Sequence, residues 1–146
     1  MQFLAALLPN YHNRRLEWAL AIYLLYIGAF LALPPLQMSS PSYRAVLDRA
    51  SEGSWALTFL LEGLLLYFAL QVNGRAAWTP FLRAVALFVS AQTFFVFAMS
   101  LSQVALGMSF ATFLFLSLGF CGIAFSTAAY DCGREIKIWR ARYGQH

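Results

Sequence analysis

Charge is what this chain has least of. Only 11% of its 146 residues are charged, ten basic and six acidic, where a soluble domain carries roughly 25%. Too few polar side chains remain to coat a water-soluble globule of this length, which excludes that class. Histidine and cysteine are nearly missing, with two of each. His12 and His146 stand near opposite ends without a partner at metal-ligand spacing, so no metal site is expected. Cys121 and Cys132 are eleven residues apart, about 16 Å along one continuous helix, beyond the reach of a disulfide. The signatures of enzyme chemistry are absent as well: no nucleophile elbow, no Gly-rich phosphate loop, no metal-ligand cluster and no paired carboxylates. The expectation is a protein that is not an enzyme and needs no cofactor. The net charge of +4 comes without a groove-reading motif, and its basic residues sit between apolar runs and at the ends, so nucleic acid is not an expected partner.

What the chain has in abundance is apolar length, 61% of its residues. Four runs are long enough for a bilayer core, which takes about 20 residues as a helix. They fall at about 16–33, 55–72, 82–103 and 109–130. Pro34 and Pro35 stop the first, Asn73-Gly74 turns the chain after the second and Pro80 suits the start of the third. An uncharged stretch from Val104 to Met108 makes a tight hairpin of the last two. The expected fold is therefore an all-α membrane protein, a single domain over 1–146 folded as an antiparallel bundle of four transmembrane helices with short interfacial amphipathic helices. Arg14 and Arg15 before an apolar run suggest a signal peptide, but the run is too long and lacks an A-x-A site. Met1 to Asn13 reads as a segment at the membrane surface.

Two polar stretches flank the spans. In 41–52, Ser40-Pro41 supplies a cap and Tyr43, Val46, Leu47 and Ala50 share one face opposite Arg44, Asp48, Arg49 and Glu52, which predicts an amphipathic surface helix. In the tail, 131–146, Arg134, Lys137, Arg140 and Arg142 suit a bilayer with anionic headgroups. Arg14, Arg15, Arg75, Arg83 and the four tail cations lie on one side of a four-span topology, Arg44 and Arg49 on the other. That bias places both termini in the cytoplasm. Trp18, Trp55, Trp78 and Trp139 fall at span ends, the pattern of an interfacial belt.

Inside the spans, Glu62 is the one acidic residue near mid-depth, where a charge is costly and an acid is by default a functional candidate. Gln92, Thr93 and Tyr26 lie at matching depth and are its candidate partners. No intramembrane base accompanies it, and the favoured reading is a neutral, hydrogen-bonded Glu that joins helices. In the fourth span, Ser117 with Cys121, Gly122 with Ser126 and Ala124 with Ala128 fit the small-xxx-small packing pattern. The phenylalanines at 88, 94, 95, 97, 110, 113, 115, 120 and 125 read as core packing or lipid-facing surface.

Arg15-Leu16-Glu17-Trp18-Ala19 opening the first span, Asn73-Gly74-Arg75 closing the second and Pro80 with Arg83 opening the third resemble the order in small multi-spanning membrane proteins encoded by tailed bacteriophages and prophages. The resemblance implies a bacterial inner (cytoplasmic) membrane and transfers no catalytic residue. Within that setting three functions are expected: a holin-like oligomer that permeabilises the membrane, a docking module for a membrane-protein partner or for superinfection exclusion, or a small proton-coupled transporter using Glu62.

Overall fold

Long apolar runs fold as helices in which every interior backbone group is satisfied within the segment. A computed structural model describes residues 14–33, 38, 40–72, 78–102 and 107–143. About nine-tenths of these residues are helical and none forms a strand. Helix α1 is Arg15–Ala32, with Glu17 in its first turn, where a carboxylate suits the helix dipole. A single 3-10 turn, Pro41–Tyr43, leads into the short α2, Arg44–Leu47. Helix α3, Glu52–Gln71, opens on Ser51, whose hydroxyl accepts from the Ser54 amide at 3.2 Å, an N-cap of the usual kind. Helix α4 is Thr79–Ser102 and α5 is Met108–Thr127. A π turn, Ala128–Cys132, joins α5 to α6, Gly133–Tyr143. Among the described residues, four helices are long and apolar enough to cross a membrane.

Two boundaries differ from expectation. The predicted surface helix over 41–52 contracts to the 3-10 turn and α2, because the Ser51 cap assigns Glu52 to α3 instead. Glu52, expected on the solvent face, is buried and accepts from the Met38 amide at 3.1 Å. The other is the end of the fourth helix, which passes into the tail helix α6 through the π turn without a break. From Met108 to Ile138 the helix runs 31 residues, about 46 Å against the ~30 Å of a bilayer's hydrocarbon core, and from Asp131 onward it is charged.

Helix α1 packs on α3 and α4 on α5, with α3 against α4 joining the pairs. The first contact is backbone to backbone. A methyl added at Gly28 would lie 2.7 Å from the Leu60 nitrogen, and one at Gly63 would lie 2.9 Å from the Leu25 nitrogen, so only glycine permits this crossing. Around α4 the core is aromatic: Phe94 meets Phe59 at 5.3 Å and Phe120 at 5.2 Å, and Phe97 meets Phe113 at 4.6 Å, the spacing of favourable ring pairs. Phe88, Phe95, Phe115 and Phe125 face outward. Two tryptophans expected in a belt are core residues. Trp18 is fully buried with its ring edge-on to Tyr67, and Trp55 is buried with its indole N–H bonded to the Val46 carbonyl at 3.2 Å. Trp78 is exposed, and the side chain of Trp139 lies outside the described residues.

Candidate functional site

The first turns of α1 and α4 and the π turn after α5 bring four charges together. Arg14, just ahead of α1, holds Glu17 and Asp131, each at 2.8 Å. Arg83, in the first turns of α4, reaches the same two carboxylates, Asp131 at 2.5 Å and Glu17 at 3.2 Å. The result is a closed ring of two guanidiniums and two carboxylates with no net charge. Arg83 is 0% exposed and Glu17 6%, whereas the side chains of Arg14 and Asp131 are 21% and 20% exposed. A buried arginine is tolerated only with such partners. Burial pulls the Arg14 pKa down, but Glu17 and Asp131 outweigh it and hold the group more firmly protonated than an ordinary arginine.

Placing Asp131 in this ring depends on the π turn. A π turn inserts an extra residue and rephases the helix, and such turns are frequent at functional sites. Asp131 is thereby turned inward to Arg83 while its neighbour Tyr130 stays 74% exposed. Beside the ring lies an open groove of about 670 Å³ between the start of α1 and the end of α5, bordered by Arg14, Arg15 and Arg134 and floored by Gly122 and Ile123.

The ring was not expected from the sequence, where Arg14, Glu17 and Arg83 entered only through topology, the signal-peptide reading and the resemblance, and Asp131 carried no role. A signal was present. In a four-span topology Glu17, Arg83 and Asp131 all fall at span ends on one side, the arrangement that lets opposite charges meet.

The expected polar cluster is smaller than proposed. Glu62, 6% exposed, accepts from the Thr93 hydroxyl at 2.5 Å. Ser90, one turn earlier on α4, lines the same carboxyl and donates to the Ala86 carbonyl at 3.0 Å. Gln92 is exposed, because it sits about 100° round the helix from Thr93. Tyr26 is 64% exposed and stacks on Phe30, since α1 turns its Leu24 and Gly28 side to α3. The small-residue stripe also packs differently. Ser117 and Ala124 are buried, with the Ser117 hydroxyl bonded to the Ala91 carbonyl at 2.8 Å, and Cys121 is half-buried. Gly122 and Ser126 face outward with open space over Gly122, and the side chain of Ala128 lies outside the described residues. Close helix approach occurs at Gly28 and Gly63 instead.

Arg44 and Arg49 are exposed at the start of α2 and just past its end, and Arg134, Lys137 and Arg140 are exposed on the tail helix. Arg142's side chain, Met1 to Asn13 and the turn at Asn73-Gly74 lie outside the described residues. No family model, curated protein or solved structure matches this chain.

Proposed function

We propose that the chain is a non-enzymatic, four-span protein of a bacterial cytoplasmic membrane, folded as an antiparallel bundle with both termini cytoplasmic, that docks an acidic partner protein on its outward face. The antiparallel arrangement is supported by the α1–α3 contacts, in which Trp18 meets Tyr67, Leu25 meets Gly63 and Gly28 meets Leu60. The observation that carries docking is how firmly the outward segment is held. Val46 is fully buried and its carbonyl takes the Trp55 indole, while the Met38 amide is tied to Glu52. Arg44 and Arg49 are thereby presented on a fixed frame, exposed and free of the ordering cost a loose loop would add on binding. A photo-crosslinker at Leu47 in growing cells is expected to yield one discrete hetero-adduct, lost on Arg44→Glu/Arg49→Glu with insertion unchanged. Adducts only to a second copy, or none, would overturn the reading.

A second reading, the holin-like oligomer, is favoured by the outward Gly119, Gly122 and Ser126 on a fourth span only 17% buried, against 50% for the third. Such a surface suits helix association. Against it, Glu62 and Ser117 are bonded inside the bundle, and the outward polar side chains, Gln92 and Ser126 among them, are uncharged and few for lining a lesion. Induced expression that collapses membrane potential and culture density would replace docking with this reading. A culture that keeps both would exclude it.

A further inference from the structure

The groove beside the charge ring has a use that neither docking nor lysis requires. Its rim carries three arginines, Arg14, Arg15 and Arg134, against two carboxylates, Glu17 and Asp131, and Arg83 lies directly behind those carboxylates. The ring is neutral as a whole, so the formal positive excess of the lining comes from the two arginines outside it, Arg15 and Arg134. Guanidinium forks match phosphate oxygens in shape and charge. The floor is of opposite character. Along α5 the lining passes Thr127 and Ser126 to Ile123 and Gly122, and nothing lies within 4 Å of where a Gly122 side chain would begin. An anionic head beside a strip of apolar surface, at the end of a membrane-spanning helix, is the shape of a phospholipid. A volume near 670 Å³ is within the ordinary range for a small-ligand site.

We propose that this groove binds one anionic phospholipid, its phosphodiester held by Arg15 and Arg134 with Arg14 behind them and an acyl chain lying over Gly122 and Ile123. Lipid in the groove bridges α1 to α5, two helices otherwise joined here through the ring. The site rests on the membrane placement proposed above and is independent of docking.

The test is native mass spectrometry of the full-length protein released from bilayers containing equal phosphatidylglycerol and phosphatidylethanolamine. Wild type is expected to retain one phosphatidylglycerol in preference to phosphatidylethanolamine. Arg15→Gln/Arg134→Gln should weaken that retention about 30-fold, the two-residue equivalent of the attraction of basic side chains to anionic headgroups. Gly122→Leu should weaken it as well by filling the floor, and because that position meets open space the fold is kept even if the arginine variant fails to fold. Arg140→Gln on the exposed tail should change nothing. Equal retention of the two lipids, or retention unchanged in both groove variants, would overturn the site. Protection from thermal unfolding by inorganic phosphate equal to that by phosphatidylglycerol would overturn the lipid in favour of a free anion. Protein that carries neither lipid and stays monodisperse without detergent would overturn the membrane placement itself.

Discussion

Arg83 carries a full charge at 0% exposure, and its stability effect depends on what happens when a partner is lost. Removing one member of a buried ion pair strands the others and costs about 3–5 kcal/mol. Arg83→Met is therefore expected to lower unfolding free energy in mixed micelles by that amount. Asp131→Asn should cost less, about 1–2 kcal/mol, because Asp131 is partly exposed and Glu17 still holds both arginines. Equal losses from the two variants would show that the ring is not centred on Arg83. The carboxyl of Glu62 makes a different prediction. An amide oxygen accepts from Thr93 as well as a carboxylate oxygen does, so Glu62→Gln should change stability by less than about 1 kcal/mol and leave membrane potential untouched. A lost proton or cation flux in that variant would restore the transport function expected of this acid.

Among the elements, α1 and α3 meet through glycine and α5 does not. Gly28→Ala and Gly63→Ala each drive a methyl within 3 Å of backbone atoms, so the helices must separate, at about 1–3 kcal/mol each. Gly119→Ala and Gly122→Ala meet open space and should be neutral or stabilising by a few tenths to about 1 kcal/mol, as alanine favours a helix over glycine. Unfolding titrations of the four variants check the contrast, and equal losses would refute it. The small-residue pattern of the fourth span was legible in the sequence, but which helix uses glycine for close packing was not. A glycine's role depends on whether a neighbour's backbone arrives there, and spacing along one chain carries no such information.

For the molecule as a whole, the distribution of basic residues predicts orientation. In a Cys121→Ala/Cys132→Ala background, Ser42→Cys should react with an impermeant thiol reagent in intact cells, and Lys137→Cys only after permeabilisation. The reverse pattern would invert the topology. Most of the architecture was visible beforehand. Four spans were expected within three residues of the observed helix ends, since bilayer thickness fixes how long an apolar run must be. Glu52 was misplaced because a serine cap, a single-residue event, decides where α3 begins.

Composition and periodicity by themselves determined the helical class, the four helices long and apolar enough to cross a membrane and the acid in the middle of one of them, because each follows from local apolar length. Partnership needed the third dimension. That Glu62 meets Thr93 rather than Gln92 or Tyr26, that Trp18 and Trp55 leave the belt for the core, and that Arg14, Glu17, Arg83 and Asp131 close into one ring across up to 117 residues of chain depend on how the helices rotate about their own axes. That rotation is set by the packing of whole helix faces, a property of pairs of segments that no single stretch of sequence contains.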